Sequence, residues 1–190
     1  MPVRKMPQYE TGLQQVGNRI YAYLQWDGGW GISNAGFLED DEGLLVIDSL
    51  LTPSMAYAFN AAIRRVSSAP IRDLVHTHSH IDHVGGNRQF DASEIVAHVN
   101  CHAEMDAVAS SAKRERRQWM PDAWWDELVE IEPALPTRTF KDNLTLNYGG
   151  TAVELMHWGP AHTTGDVLVY LPESKLLFAG DLAFFYATPL

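Results

Sequence analysis

The chain has 190 residues, of which 46% are hydrophobic, and its 14 basic and 24 acidic side chains give a formal net charge of −10. This size predicts one domain over residues 1–190, and the acidic balance argues against a nucleic-acid partner, which would need a basic face. A single cysteine, Cys101, excludes an internal disulfide framework and favours a reducing, cytoplasmic compartment, while no apolar run approaches the length of a membrane span.

In chain order, the first half predicts two hairpins, then a helix and a strand. The hairpins are expected from four strand-like segments, at residues 13–16, 20–26, 35–38 and Leu44–Ile47, with turns between them. Residues 52–66 have amphipathic helical spacing, with Thr52 as the N-cap and Pro53 in the first position. Ile71–Val75 is then expected to be a buried strand that leads into a polar loop.

The second half predicts one more helix among short strands. Glu94–His98 is expected to be a strand and residues 102–120 a helix, and residues 121–136 are expected to be irregular. Four strands follow, at residues 145–146, 152–156, 167–171 and 175–179. Hairpins at the start and a crossover helix between strands favour a mixed sheet over a purely parallel one.

The loop after Ile71–Val75 holds four side chains of the metal-ligand type within six residues: His78, His80, Asp82 and His83. Imidazole and carboxylate groups are donors that first-row transition metals prefer. On an extended backbone His78 and His80 point the same way, whereas the adjacent Asp82 and His83 need a turn to converge. The segment therefore predicts a metal site.

Two further ligands are expected downstream. His162 lies in a turn between two predicted strands, and Asp181 follows an apolar strand in the pair Gly-Asp. An aspartate at the end of a buried strand rarely serves packing. The alternatives are a structural role for His162 and a helix-capping or turn role for Asp181.

These motifs, His-x-His-x-Asp-His, a Gly-x-x-His-Thr-like turn and Gly-Asp, resemble in type and order the metallo-β-lactamase superfamily of binuclear hydrolases. The resemblance runs from about residue 13 to 185 and implies an α+β fold, an αββα sandwich with metals at one edge. It also implies three sets of ligands: His78, His80 and His162 for a first metal, Asp82 and His83 for a second, and Asp181 for both.

The resemblance implies one more histidine for the second metal, on a strand well after Asp181, and residues 182–190 contain none. We therefore expect the chain to be a fragment without the C-terminal part of the sandwich, poorly soluble or oligomeric and weakly active alone. The alternative is a short protein whose partner completes the fold.

Four other residues are expected at the site. The resemblance implies that Asp48 hydrogen-bonds a metal-binding histidine, which would fix the tautomer of that ring; the alternative is a turn at the start of a helix. Trp30, in a glycine-rich loop, and Trp124 and Trp125, near Pro121, are expected to contact the substrate. Closing the core is their alternative role.

The function implied by the resemblance is hydrolysis of a small ester, thioester or lactone by a hydroxide shared between two metals. Asp82 would orient this nucleophile and carry its proton. Two zinc ions are favoured, with iron or manganese left open because the ligands include no thiolate. The motifs look similar to those of the hydroxyacylglutathione hydrolases (glyoxalase II). The expected partner is a small-molecule substrate, with neither nucleic acid nor membrane and with a homo-oligomer left open.

Three alternatives remain. One is a non-hydrolytic enzyme on the same metal centre, such as a persulfide dioxygenase or a polyketide cyclase, which metal identity and oxygen consumption would distinguish. Another is a β-lactamase activity. It would be a secondary activity, because dedicated zinc β-lactamases carry cysteine or serine where Asp181 stands. The last is a catalytically inactive binding domain.

Overall fold

The larger of two sheets has seven strands, which lie side by side in chain order. They are β1 (Gly12–Gly17), β2 (Ile20–Leu24), β3 (Ala35–Glu39), β4 (Leu44–Ile47), β5 (Ile71–Val75), β6 (Glu94–His98) and β7 (Arg138–Phe140). Pairing is antiparallel from β1 to β4 and parallel from β4 to β7. The prediction of a mixed sheet is confirmed. The computed structural model from which these elements are read describes residues 10–25, 31–110, 120–129 and 134–184.

The smaller sheet is antiparallel throughout. Its spatial order is β11 (Leu176–Phe178), β10 (Leu168–Leu171), β9 (Thr151–Met156) and β8 (Asn143–Tyr148). Gly149 and Gly150 join β8 to β9 with φ of 58° and 87°. A two-residue hairpin of this hand requires positive φ at both positions, which glycine adopts without steric cost.

The described elements include four α-helices: α1 (Pro53–Val66), α2 (Ile81–Val84), α3 (Val99–Ser110) and α4 (Asp122–Val129). Two short 3-10 helices, Asn87–Gln89 and Gly180–Leu182, complete them. At the start of α1, Thr52 Oγ1 accepts a hydrogen bond from the Met55 amide at 3.2 Å, so the predicted N-cap is confirmed. In the part of the chain that the structure describes, every helix is too short or too polar to span a membrane.

The expectation of an irregular segment over residues 121–136 is wrong for Asp122–Val129, which form α4. The Glu127 carboxylate accepts hydrogen bonds from the Ser54 amide and hydroxyl, both at 2.8 Å, and so joins α4 to the first turn of α1. The other expected helix is shifted, because α3 begins at Val99 and Met120 lies in a bend. Residues 111–119 of that expected helix lie outside the described residues.

The side chains of each strand point alternately to the two faces of the sheet, and this alternation gives two apolar layers. One face of the larger sheet packs on the smaller sheet through buried residues of both: Leu45, Ile47, Val75 and Val96 against Leu146, Val153, Leu155 and Val169. The opposite face packs on α1, through Leu44, Val46 and Leu74 against Phe59 and Ile63. Successive strand side chains point to opposite faces, which is why neighbours such as Leu44 and Leu45 enter different layers. The α+β class is confirmed, and the described residues form the helix–sheet–sheet part of the αββα sandwich.

A buried hydrogen bond links the two sheets. The Tyr148 hydroxyl on β8 donates to the carboxylate of Asp73 on β5, and these residues are 2% and 6% exposed. Burial and the Asp73 carboxylate raise the pKa of the Tyr148 phenol above its ordinary value, so the phenol stays protonated and can donate. The Arg72 guanidinium also lies over the Tyr148 ring, 4.5 Å from its centroid.

We expect Tyr148→Phe to lower the free energy of unfolding by about 1–3 kcal/mol, because it removes the donor to a buried carboxylate. Urea unfolding followed by circular dichroism measures the change. Tyr57→Phe is the matched control, since Tyr57 is 69% exposed on α1, and we expect its effect to stay within about 0.5 kcal/mol. Equal stability of the two variants would contradict a stabilising role for the bond between the sheets.

Candidate metal centre

The candidate ligands lie at the edge of the sandwich where several strands end. The carboxyl ends of the parallel strands β4 and β5 meet there, followed by Asp48 and by the loop that holds His78. In the smaller sheet, β9 and β11 end at one edge, followed by the segments that hold His162 and Asp181. The Val167 amide at the start of β10 donates to the Thr77 carbonyl at 2.7 Å, so the two edges are joined.

The structure brings the six predicted ligands together in two groups. His78, His80, His162 and Asp181 each offer one ligand atom, and these atoms all lie within 4.8 Å of one another. Asp82, His83 and Asp181 form a second group that meets the same limit. The division into groups matches what the resemblance implies, and the role of each residue as a ligand stays a prediction.

Asp181 belongs to both groups because its two carboxylate oxygens face different histidines. Oδ2 lies 3.4 Å from His162 Nε2, and Oδ1 lies 3.2 Å from His83 Nε2. His162 Nε2 is also 2.9 Å from His80 Nδ1. Ligands at 2.0–2.2 Å from a tetrahedral metal stand about 3.4 Å apart, so these separations suit a shared carboxylate between two cations.

The short helix α2 supplies the turn that Asp82 and His83 need to converge. Its backbone is held by the Ser49 amide, which donates to the His83 carbonyl at 2.8 Å, and by the Ser33 hydroxyl, which donates to the Asp82 carbonyl at 2.5 Å. Gly86 lies two residues after the helix, and a Cβ there would lie 2.2 Å from the Ser49 carbonyl oxygen. The close approach of the two backbones therefore requires glycine.

The buried carboxylate of Asp48 organises the loop behind these ligands. Its Oδ1 accepts from the Thr77 amide at 2.8 Å, and its Oδ2 accepts from the Thr77 hydroxyl at 2.7 Å and lies 2.8 Å from His83 Nδ1. The last contact is the one that the resemblance implies. Burial would raise the pKa of Asp48, but His83 and His76 outweigh burial and hold that pKa well below its usual range.

The donor atoms fit a metal cation. The Thr77 hydroxyl donates to Asp48, so Thr77 Oγ1, 3.2 Å from His78 Nδ1, can accept a hydrogen bond from the Nδ1–H of that ring. His78 Nε2 then carries the lone pair that a ligand needs. The Nε2 atom of His78 is buried and has no hydrogen-bond partner among the described residues. An unsatisfied buried polar atom costs about 1–3 kcal/mol, and a bound cation would remove that cost.

The two buried histidines of the site have opposite pKa shifts and therefore different charge states. Burial, and then the neighbouring charge of His83, lower the pKa of His78 to about 2, so its imidazole is neutral at working pH. Burial would also lower the pKa of His83, but Asp48 and Asp181 outweigh it and raise that pKa well above 6.5. Without a cation, His83 therefore holds a proton among carboxylates, and metal binding would displace that proton.

The turn that carries His162 is shaped by Asp166, which the sequence analysis did not single out. Its Oδ2 accepts from the amides of Thr163 and Ala161, at 2.8 and 3.2 Å, and its Oδ1 accepts from the Thr163 hydroxyl at 2.8 Å. Aspartate and threonine near glycine commonly make such turns. This local signal, Thr163 to Asp166 around Gly165, could have identified the residue from sequence.

Two of the three expected substrate contacts pack against the core, and the third lies outside the described residues. Trp30 falls within residues 26–30, which the structure does not describe. Trp124 and Trp125 are half-buried on α4 and pack against the core cluster beneath α1. That packing agrees with the alternative of closing the core, and contact with substrate stays a prediction for these three residues.

Comparison with known proteins gives one family match and several relatives. The model of the metallo-beta-lactamase superfamily matches residues 28–190. The chain is 29% identical over 164 residues to the 2,4-dinitroanisole O-demethylase subunit alpha of Nocardioides sp. (strain JS1661), covering 82% of this chain and 44% of that protein. It is 30% identical over 119 residues to the acyl-coenzyme A thioesterase MBLAC2 of Bos taurus, covering 58% of this chain and 40% of that protein.

A solved structure supports the same fold. The metallo-beta-lactamase from Pontibacter korlensis superposes with a TM-score of 0.66 at 20% identity, covering 90% of this chain and 71% of that one. At this identity the likeness shows the fold alone. The chain spans less than half the length of the two curated relatives.

We expect Asp48→Asn to weaken the binding of one cation by about 10- to 100-fold, because the hydrogen bond that orients His83 loses its charged acceptor. Zinc titration against a chromophoric chelator measures the affinity. Asp40→Asn is the matched control: Asp40 is also buried, but its Oδ1 accepts from the Glu42 and Gly43 amides in the β3–β4 turn. Equal zinc affinity in the two variants would contradict the role assigned to Asp48.

Proposed function

We propose that this chain, which belongs to the metallo-beta-lactamase superfamily, acts as one metal-dependent hydrolase domain that cleaves an ester, thioester or lactone bond of a small substrate. The observation that carries the proposal is the pair of ligand groups that share Asp181. Histidines and carboxylates so arranged are the ligands of binuclear hydrolytic centres.

In this proposal His78, His80 and His162 hold one cation, Asp82 and His83 hold the other, and Asp181 contacts both. A divalent cation, when bound, supplies Lewis-acid chemistry: it lowers the pKa of water toward neutrality and polarises a carbonyl oxygen. Zinc is favoured by this donor set, and iron or manganese also accept it.

Asp82 is proposed to handle the proton of the attacking water. Its side chain is 21% exposed, against 3% for His83, so it is the more accessible of the two to solvent and substrate. Its Oδ2 lies 3.8 Å from His83 Nε2, and its backbone is fixed by Ser33. A carboxylate in this position can accept a proton from water as the nucleophile attacks and return it to the leaving group.

Apolar surface beside the ligands supports a substrate with an apolar portion. Ile81, between His80 and Asp82, is 38% exposed, and Phe184, three residues after Asp181, is 41% exposed. Exposed apolar side chains beside a polar centre are typical of small-molecule sites. Trp30, Trp124 and Trp125 are proposed as further contacts. Among the three bond types, the thioester has the added support of a relative named as an acyl-coenzyme A thioesterase.

We expect His80→Ala to lose at least one equivalent of zinc and to reduce turnover by about 100-fold or more, because one imidazole ligand of the first group is removed. His80 is exposed, so its truncation leaves no buried cavity. Elemental analysis gives the metal content, and hydrolysis of a nitrophenyl ester, an acyl-coenzyme A and a lactone gives turnover.

His102→Ala is the control, since His102 lies on α3 outside both ligand groups, and it should retain metal and turnover. Full metal retention in His80→Ala would contradict the ligand assignment. A zinc-loaded wild-type protein that cleaves none of the three substrates would contradict the proposed bond class.

A further inference from the structure

The first ligand group is assembled from two loops that belong to different sheets. His78 and His80 follow β5 of the larger sheet, whereas His162 follows β9 of the smaller sheet. His80 Nδ1 and His162 Nε2 nevertheless lie 2.9 Å apart. Donor atoms from separate loops keep such a distance more reliably when the residues around the loops also hold them in place.

One carboxylate contacts both loops. Glu104 Oε1, on α3, accepts from the Thr164 amide at 3.2 Å and from the Thr164 hydroxyl at 2.6 Å. Glu104 Oε2 accepts from the Ser79 hydroxyl. Ser79 stands between His78 and His80, and Thr164 lies two residues after His162. Each oxygen of this side chain therefore holds one of the two ligand loops.

The helix that carries Glu104 is a rigid support for both contacts. Asn100 Nδ2, one turn earlier, donates to the Thr164 carbonyl at 2.8 Å. A Cβ at Gly165 would lie 2.4 Å from the Cys101 amide nitrogen, so the loop backbone rests directly on the helix. The helix is anchored in turn by Cys101 and Met105, which are buried together.

Glu104 is in the right charge state to accept at both oxygens. Its partial burial would raise its pKa, but the hydrogen bonds from Ser79 and Thr164 outweigh burial and hold the pKa below its ordinary value. At neutral pH the side chain is therefore an ionised, acceptor-only carboxylate. Hydrogen bonds to an ionised acceptor are the stronger kind.

We propose that Glu104 is a positioning residue for the first cation, which acts by tying the Ser79 and Thr164 loops to α3 so that His80 and His162 stay within ligand distance. This inference rests on the proposed function, because it takes His78, His80 and His162 to hold a cation. Fixing the loops before binding removes the entropy cost of ordering them when the cation arrives. Groups that orient metal ligands typically change affinity by about 10- to 100-fold when removed.

The test compares Glu104→Ala and Glu104→Gln with the unaltered protein. Glu104→Gln keeps the size of the side chain and one acceptor oxygen, so partial rescue is expected relative to alanine. The affinity for the first equivalent of zinc is measured by chelator competition, and the absorption bands of bound cobalt report the ligand geometry. Thermal unfolding in excess chelator reports the stability of each variant without metal.

Glu127→Ala and Glu127→Gln are the matched controls. Glu127 is also a helical carboxylate that joins two elements, since it accepts from the Ser54 amide and hydroxyl at 2.8 Å each, but its partner is α1. Its variants should lose stability yet leave zinc affinity and the cobalt spectrum unchanged, which separates positioning from general stabilisation.

We expect Glu104→Ala to lower the affinity for the first zinc by about 10- to 100-fold, with an altered cobalt spectrum and an intermediate value for Glu104→Gln. If Glu104→Ala does not fold, the lowered affinity of Glu104→Gln carries the test. Two results would overturn this inference alone, provided that the unaltered protein binds zinc. One is an unchanged zinc affinity in both Glu104 variants, and the other is a loss of affinity no larger than in the Glu127 variants. A wild-type protein that binds no zinc overturns the proposed function as well.

Discussion

The ionised carboxylate of Asp48 is buried at the end of β4, and the arrangement of the candidate centre follows from that one placement. A buried carboxylate is tolerated only when it is hydrogen-bonded and faces positive charge, and here Thr77 and His83 supply both. The backbone of Asp48 has φ of 58°, a left-handed conformation that costs about 1–2 kcal/mol for a residue other than glycine. The hydrogen bonds to Thr77 and His83 offset that strain, and they also fix the loop that presents the first ligands.

From Asp48 the charges alternate outward through the centre. The raised pKa of His83 places a positive ring between Asp48 and the carboxylate of Asp181, while the lowered pKa values of His78 and His80 leave those rings neutral. The neutral rings are ready to bind a cation, and the charged ring must first release its proton. On the proposed ligand assignment, binding of a cation would release the proton of His83 and would therefore depend on pH.

Much of the fold could be predicted because the signals were local. Strands Leu44–Ile47, Ile71–Val75 and Glu94–His98 form at the predicted residues: the first is continuously apolar, and each of the others has three apolar residues beside polar ones. Helix Asp122–Val129 was missed because its acidic, Trp-rich sequence is typical of a loop. The hydrogen bond from Ser54 to Glu127, which are 73 residues apart, forms only in the folded chain. The strand Arg138–Phe140 is only three residues long and depends on pairing with β6, so no periodic pattern indicated it.

The candidate site also combines residues with local sequence signals and residues defined by long-range contacts. The ligands stand in short motifs, so residue type and spacing indicated them. Glu104 has no motif, because its partners Ser79 and Thr164 lie 25 and 60 residues away and meet it only in the folded chain. Sequence patterns can thus identify groups that bind a cation more readily than groups that hold those binders in place.

The origin of the ligands in two sheets has a mechanical consequence. His78 and His80 belong to one layer of the sandwich, His162 and Asp181 to the other, and the layers are otherwise joined by apolar packing and a few hydrogen bonds. A cation bound by both layers acts as a cross-link between distant parts of the chain. At a free concentration one hundred times its dissociation constant, such a ligand adds about 2.7 kcal/mol to the free energy of unfolding. On the proposed ligand assignment, loss of the cation would loosen the sandwich itself, so metal supply would govern how long the folded protein lasts as well as whether it is active.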